Sequence, residues 1–342
     1  MSTKKQKQYN IVDLFSGVGG LSLGFKKVGF ELVFANDNDE EASKTFTYNH
    51  PESKFYLGDI KELDTKKVKK YISNKKIDVL VGGVPCQSFS MVGFRTTNKG
   101  NIENDPRHYL FKEFIRIAKI LKPKVVIIEN VAAILSSHDG KIKEEIIKDL
   151  KSIGYNVDYT VLNAADYGVP QLRKRAVFIG NNLGVRNVFP EKTHSPSKYV
   201  SVGEAFKNLP KANHEPKKLN GLVLKRVKLI KPGQNWRSLP KDLQTGSKHS
   251  GAYGRLDPKQ PSRTLTTRFD TPPGGYVTHP VENRAITVRE GARIQSFPDD
   301  FVFIGTKTAQ YRQVGNAVPV NMSHAVAKSI KKMLDSRHEK GR

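Results

Sequence analysis

The stretch YNIVDLFSGVGG, residues 9–20, decides the fold of this chain. Tyr9 to Phe15 are largely apolar and predict a buried β-strand, and the glycines that follow predict a tight turn. Gly17, Gly19 and Gly20 carry no side chain, so a ligand can approach the backbone closely beside the amides of a helix N-terminus. The pattern predicts a ligand site at the end of the first strand.

An acidic residue 20 positions after Gly17 indicates what this ligand carries. Asp37 follows the next predicted strand, where an acidic side chain binds ribose hydroxyls in nucleotide sites. This geometry does not by itself separate a dinucleotide from S-adenosylmethionine. The full dinucleotide pattern fails, since Ser22 stands in place of its third glycine. A glycine turn that is only structural punctuation is the alternative.

Strand-like and helix-like segments alternate through the first half of the chain, which predicts an α/β fold with a doubly wound sheet. The predicted strands are 9–15, 31–36, 54–57, 77–81, 125–129, 155–162 and 176–180. The predicted helices are one that ends at Lys27 and those at 38–48, 109–121, 141–152, 287–295 and 320–334. Residues 181–280 are rich in Pro, Gly, Lys, Ser and Asn and favour a second, smaller irregular domain, since a linker of that length is uncommon.

Composition restricts the class of protein. The chain has 342 residues, enough for about two domains, and its single cysteine excludes an intramolecular disulfide. A formal net charge of +25 favours a polyanionic partner such as nucleic acid, with a generally lysine-rich surface as the alternative. We expect no membrane association and a cytoplasmic location, because the sequence contains neither a signal peptide nor an apolar run of about 18 residues.

The single cysteine, Cys86, lies in the segment GGVPCQSFS, residues 82–90, just past a predicted strand. Ligands bind at the carboxyl ends of strands in open α/β sheets. A lone cysteine is usually a small buried hydrophobic residue. Such residues rarely follow Gly-Gly-Val-Pro and precede a glutamine, so the context favours a nucleophile.

Two further polar groups follow or precede predicted strands. Glu129 ends the apolar run at 124–128, so its carboxylate should emerge at the same sheet edge as Cys86. Arg173 and Arg175 precede the strand at 176–180 and alternate onto one side, which suits contacts with an anion or a carbonyl. A solvated basic turn is the alternative for this pair.

Taken together, these residues resemble the DNA (cytosine-5-)methyltransferases, in particular bacterial members of the restriction–modification type. Six blocks stand in the order typical of that family over nearly the whole chain: DLFSGVGG at 13–20, PCQ at 85–87, ENV at 129–131, QLRKR at 171–175, TVREGARIQSFPD at 287–299 and QVGNAVP at 313–319. The resemblance implies a Rossmann-like methyltransferase sheet formed by residues 1–182 and 309–342. It also implies a small domain at 183–308 with a target-recognition region at about 183–283.

The resemblance implies the catalytic roles as well. Cys86 would add as a thiolate to carbon 6 of the target cytosine, which turns carbon 5 into a nucleophile. Glu129 would hold the exocyclic amine and ring nitrogen 3, and Arg175 the base carbonyl, with Arg173 supporting the pocket. Loss of the carbon 5 proton would then release Cys86.

For the cofactor, the resemblance implies S-adenosylmethionine and no metal. The implied cofactor residues are Asp13, Phe15, Gly17, Gly19, Gly20, Asp37, Asp59, Ile60 and Asn316. Asp37 would bind the ribose, Asp59 the adenine amine, and Asn316 the methionine end. The chain departs from many relatives at Asn38, where they carry a bulky aromatic residue, so the stacking of the adenine is less secure than the ribose contact.

The implied substrate is double-stranded DNA with the cytosine extruded from the helix, because a thiol cannot reach a stacked base. The polar stretch at 88–104 would close over the DNA, and Gln87 and Ser90 would bind it. Lysines of the recognition region would contact phosphates, and base edges would be contacted by Arg237, Arg255, Arg263 and Arg268.

Other functions stay open on the sequence. A nicotinamide-dependent oxidoreductase explains the glycine turn but not the segments around Cys86 and Glu129. The same scaffold could also serve a non-catalytic DNA-binding protein or an RNA cytosine-5 methyltransferase. We expect a monomer on DNA, with any cognate restriction endonuclease acting independently.

Overall fold

The computed structural model describes residues 8–85, 110–247 and 250–340. The strands are β1 (Asn10–Leu14), β2 (Glu31–Asp37), β3 (Lys54–Leu57), β4 (Val79–Gly83), β5 (Val125–Val131), β6 (Asn156–Asn163), β7 (Gln171–Leu172), β8 (Lys174–Asn181), β9 (Gly254–Arg255), β10 (Ser262–Arg263) and β11 (Tyr276–Thr278). The seven predicted strands are confirmed, each within two residues of its predicted bounds.

Seven of these strands form one sheet in the order β3-β2-β1-β4-β5-β8-β6. Neighbours from β3 to β5 are parallel, whereas β8 runs antiparallel to both β5 and β6. The strand order reverses direction between β1 and β4, the position at which open α/β sheets bind ligands beyond their carboxyl ends. Two short parallel ladders, β7 with β10 and β9 with β11, lie outside this sheet.

The helices are α1 (Gly20–Lys26), α2 (Glu40–Asn49), α3 (Thr65–Ile72), α4 (Leu110–Leu121), α5 (Lys141–Ser152), α6 (Val202–Ala205), α7 (Gly221–Leu229), α8 (Val288–Ile294), α9 (Lys307–Asn316) and α10 (Val320–Lys340). The predicted helices are confirmed, and α10 continues six residues beyond its predicted end. The sequence did not predict α3, α6, α7 or α9. Helix α3 has an apolar face with Val68 and Ile72, but it is only eight residues long and half of them are lysines. Polar residues dominate α9, which shows little apolar period.

Apolar cores cover both faces of the sheet, as a doubly wound fold requires. One core joins the sheet to α3, α4 and α5 through residues such as Val68, Phe114 and Ile146. The other joins it to α1 and α10 through residues such as Phe25 and Ile330. The fold class predicted from the sequence is confirmed.

Residues after β8 build two further cores. The third core combines residues of 256–303 with Val314 of α9 and with Val18 of the glycine turn. A fourth, small core forms within residues 219–253, from α7 and the turns that follow it. The irregular segment therefore holds a compact unit of its own beside a part that packs onto the glycine turn. Among the described residues, no helix is both long enough and apolar enough to span a bilayer.

Candidate active site

The carboxyl ends of four parallel strands meet at one edge of the sheet. The register pairs Leu14 at the end of β1 with Asn36 of β2 and Gly82 of β4, and pairs Gly83 with Glu129 of β5. The loops that leave these strands are therefore neighbours. The glycine turn, Asp37 at the end of β2, the segment that leads to Cys86, and Glu129 near the end of β5 therefore lie at one edge.

The glycine turn is held tightly against its surroundings. The backbone is left-handed at Phe15, Gly17 and Gly19, with φ values of 55°, 52° and 87°. The amide of Gly17 donates to Oδ2 of Asp37 at 2.8 Å. A Cβ at Gly20 would lie 2.4 Å from the carbonyl oxygen of Val318, so this position tolerates only glycine.

A cleft of about 170 Å³ opens between the ends of β1, β2 and β3. It is lined by Phe15, Asn36, Asn38, Gly58, Asp59, Ile60, Lys61, Pro85 and Leu110. The cleft thus brings together three of the predicted cofactor residues, Phe15, Asp59 and Ile60. Asn36, which the sequence did not single out, donates to the carbonyls of Tyr56 and Gly58 at 3.0 Å and fixes one wall. Its signal was a polar residue near the end of an apolar strand.

Asp37 is fixed by backbone amides at the end of β2. Its Oδ1 accepts a hydrogen bond from the amide of Asp39 at 2.9 Å, while Oδ2 accepts from Gly17. Burial raises the pKa of Asp37, and these amide contacts oppose the rise. Each oxygen keeps a lone pair for a further donor, such as a ribose hydroxyl.

Asp13 lies fully buried in β1 rather than in the cleft. Its Oδ2 accepts from the hydroxyl of Ser22 at 2.5 Å, and its Oδ1 has no hydrogen-bond partner. Burial raises the pKa of this carboxyl to about 7, although the Ser22 contact lowers it. Asn316 is exposed at the end of α9 and is not among the described residues that line the cleft.

His50 is a residue beneath the glycine turn that the sequence did not indicate. The ring is buried against Phe46, and its Nε2 would lie 2.5 Å from a Cβ at Gly19. Burial, together with the nearby charge of Lys26, lowers the pKa of His50 to about 4. The imidazole is therefore neutral at pH 7, and nothing in a single sequence separates such a histidine from a surface one.

Glu129 and Arg175 form an ion pair at the end of β5. Nε of Arg175 lies 3.0 Å from Oε1 of Glu129, and both side chains are largely buried. A Cβ at Gly83 would lie 3.6 Å from Oε2 of Glu129, so the carboxylate faces the end of β4. Pro85 is the last described residue after that strand. Cys86, Gln87 and Ser90 lie outside the described residues.

Arg173 links three segments instead of lining the open site. Its buried guanidinium donates to the carbonyl oxygens of Leu265, Gly315 and Ala317 at 3.1 to 3.3 Å. Burial and the charge of Arg175 lower the pKa of Arg173 well below its usual value. The predicted supporting role of Arg173 is compatible with these contacts and stays a prediction.

The four arginines predicted to contact base edges divide into two groups. Arg237, Arg263 and Arg268 are exposed. Arg255 is 4 % exposed, and its guanidinium donates to the carbonyls of Val227, Ile230, His279 and Glu282 and to Asn283. The structure contradicts the prediction for Arg255, because all five of its guanidinium donors are used in buried or partly buried contacts with these residues.

The sheet and its ligand cleft define the class: a Rossmann-like methyltransferase fold, as in structurally similar proteins. The sequence model of the family described as C-5 cytosine-specific DNA methylase matches residues 9–332, and the chain belongs to that family. It is a DNA (cytosine-5-)methyltransferase. Among the described residues, no group of His, Cys, Asp and Glu could hold a metal ion.

Curated relatives resemble the chain over nearly its full length. It is 40 % identical to Type II methyltransferase M1.HphI of Haemophilus parahaemolyticus, covering 94 % of this chain and 86 % of that protein. It is 37 % identical to Type II methyltransferase M.NgoFVII of Neisseria gonorrhoeae, covering 96 % and 88 %. A crystal structure described as a DNA modification methyltransferase encoded within an E. coli prophage aligns with a TM-score of 0.75 at 27 % identity, covering 96 % of this chain and 99 % of that one. These matches exclude the oxidoreductase alternative.

Proposed function

We propose that the chain methylates carbon 5 of one cytosine within a short, specific duplex sequence, as the modification enzyme of a restriction–modification system. The methyl donor is S-adenosylmethionine, and Cys86 forms a covalent adduct with the flipped-out base. The observation that carries the proposal is the ion pair of Glu129 with Arg175, which lies beside the end of β4. Strand β4 ends at Gly83, three residues before Cys86. The Type II methyltransferases among its relatives support the restriction–modification context.

The cleft at the ends of β1, β2 and β3 fits a nucleoside with a charged tail. Phe15 and Ile60 offer apolar surface to a base, Asp59 offers an acceptor, and Asp37 keeps lone pairs for ribose hydroxyls. When bound, S-adenosylmethionine supplies a methyl group on a positively charged sulfur. Asn316 closes the methionine end in this proposal.

The chemistry is carried by Cys86, Glu129 and Arg175. The Cys86 thiolate adds to carbon 6 of cytosine, and the electrons of the ring double bond become available at carbon 5. Glu129 binds the exocyclic amine and ring nitrogen 3, and Arg175 donates to the base carbonyl, so the pair offsets charge that develops on the ring. Carbon 5 accepts the methyl group. Removal of the carbon 5 proton then re-forms the double bond, breaks the carbon–sulfur bond and releases the thiolate.

The base must leave the helix before Cys86 can reach it, at a cost of a few kcal/mol. In the proposal, Gln87, Ser90 and the following polar stretch contact the DNA as it opens. The enzyme acts as a monomer on DNA, and a cognate endonuclease acts independently of it.

The test is to express the protein in cells that lack cytosine methylation and to sequence 5-methylcytosine in their DNA. The expected result is methylation at one short sequence, at nearly every copy. Cells that express Cys86→Ser at equal level provide the background. Methylation confined to RNA, or none above this background, would refute the proposal.

A further inference from the structure

Arg263 differs from the other exposed arginines of the recognition region in how it is held. Its guanidinium carbon lies 4.0 Å from the centre of the Tyr276 ring. Among the described residues it has no hydrogen-bond or ion-pair partner for its guanidinium. A guanidinium this close to an aromatic ring contacts it through its π face rather than through its N–H groups when the two planes stack, and the donors of Arg263 are then available for another partner.

Tyr276 is itself held by two contacts besides Arg263. Its hydroxyl accepts a hydrogen bond from Nδ2 of Asn235 at 2.8 Å. Its ring packs against Gly254, where a Cβ would come within 2.4 Å of the ring, so the ring contacts backbone as well as Arg263. Tyr276 therefore presents a rigid surface to Arg263, which lowers the entropy that the long side chain loses when it binds.

The other three arginines predicted to contact base edges have guanidinium groups that are already engaged. Arg268 is committed to Asp270, with Nε 3.1 Å from Oδ1. Arg237 lies over Trp236 at 5.1 Å and donates to the Ser250 carbonyl at 3.4 Å. Arg255 is buried, as described above. Of the four predicted arginines, Arg263 alone combines a fixed position with unused donors.

The strand that carries Arg263, β10, is hydrogen-bonded to β7, the strand just before Arg175, which is proposed to hold the cytosine. β10 pairs in parallel with β7, with Arg263 opposite Leu172. Two hydrogen bonds of Leu265 hold the two strands together. Its amide donates to Oε1 of Gln171, and its carbonyl accepts from the guanidinium of Arg173. Paired strands lie about 4.8 Å apart and three residues span at most about 10 Å. The backbone of Arg263 is thus within about 15 Å of that of Arg175, or about four base-pair steps of 3.4 Å.

We propose that Arg263, held by Tyr276, contacts the major-groove edge of a guanine within a few base pairs of the target cytosine, and that Tyr276 is the positioning residue for this contact. The inference rests on the proposed function. A guanidinium that presents two parallel donors matches O6 and N7 of guanine, the commonest specific contact of arginine in the major groove. Its neighbour Thr264 is bound through its hydroxyl to the Leu172 carbonyl at 2.8 Å, so the segment cannot slide along β7.

The experiment measures kcat/KM for methylation on the mapped target duplex and on duplexes with each base pair changed singly. Wild type, Arg263→Gln and the charge-matched control Lys218→Gln are compared. Lys218 is exposed in the same region. For Arg263→Gln we expect discrimination at one G·C position to fall about ten-fold, with adenine tolerated there best, because glutamine suits adenine. Lys218→Gln should leave the relative preference among sequences unchanged.

Tyr276 is tested by a pair of variants in the same assay. Tyr276→Leu removes the stacking surface and should relax the same G·C position about two- to five-fold, in line with an exposed cation–π contact. Tyr276→Phe loses the hydrogen bond from Asn235 but keeps the ring against Gly254 and Arg263, so it should retain most of the discrimination at that position. A Tyr276→Leu protein with unchanged sequence preference would overturn the positioning role.

Arg263 supplies the decisive outcome even if Tyr276→Leu does not fold, since Arg263 is exposed. A uniform loss on every duplex for Arg263→Gln, like that of a phosphate contact, would overturn the proposal. If the wild-type protein methylates no DNA, the proposed function and this inference both fail, whereas failure of the inference alone leaves wild-type methylation intact.

Discussion

The carboxyl edge of the main sheet and the compact unit at 219–253 differ in what positions their polar groups. At the sheet edge, Asp37 and Glu129 each follow an apolar strand whose register fixes where the side chain emerges. In the compact unit, the carbonyls of Val227 and Ile230 are bound by Arg255, a residue from outside it. The topology of the sheet thus brings the polar groups of its edge together, whereas the position of each arginine in residues 219–283 depends on its individual tertiary contacts.

The strongest way to test the sheet-edge side of this comparison is Cys86→Ser. We expect methyl transfer to fall to background, because a hydroxyl is a far weaker nucleophile and no activating base is adjacent in sequence. DNA binding and the thermal midpoint should stay close to wild type. Residual methylation well above background would show that Cys86 is not the nucleophile.

Glu129→Gln tests whether the ion pair at the end of β5 serves chemistry or binding. The amide keeps the shape but cannot share a proton with the ring, so turnover should fall about 10²-fold or more. Affinity for the target duplex should change much less. Unchanged turnover with weakened DNA binding would make Glu129 a binding residue only.

Asp13→Asn tests whether the buried carboxyl of Asp13 lowers the free energy of unfolding when it ionises. Its pKa is raised from 3.8 to about 7, so the folded state favours the neutral form and loses stability as pH rises from about 4 to about 7. The free energy of unfolding of the wild type should therefore fall relative to Asp13→Asn by up to about 1.4 kcal/mol per pH unit in this window. Denaturant unfolding at pH 5, 6, 7 and 8 measures the difference. Parallel curves for the two proteins would refute the raised pKa.

Arg255→Met tests whether the buried contacts of Arg255 stabilise the fold, with Arg237→Met as the control at an exposed arginine. Loss of Arg255 leaves buried carbonyls without donors, so we expect a destabilisation of about 2 kcal/mol. The matched change at exposed Arg237 should stay within about 0.5 kcal/mol. If Arg255→Met is as stable as wild type and loses only sequence preference, the predicted base contact was right and the structural role is wrong.

The sequence predicted the sheet and most of its ligand edge, because apolar runs that end in Asp37 or Glu129 have one physical outcome in a parallel sheet. It could not separate Arg255 from Arg263, since their difference lies in partners such as His279 and Tyr276, which are remote in sequence. The apolar neighbours of Arg255, Tyr253 and Leu256, were the only local sign of burial. The sequence did not indicate His50 and Asn36 for the same reason. The glycine turn and the cleft wall that they support are formed by tertiary contacts.

The most direct test of the covalent mechanism is a duplex with 5-fluorocytosine at the mapped target position, incubated with wild-type protein and S-adenosylmethionine. Fluorine at carbon 5 cannot leave as a proton does, so the carbon–sulfur bond to Cys86 should persist. We expect a protein–DNA complex that survives denaturing electrophoresis, maps by mass spectrometry to the peptide containing Cys86, and is absent with Cys86→Ser. A wild-type enzyme that is active on the normal duplex yet forms no such complex, or a complex that survives in Cys86→Ser, would contradict the mechanism.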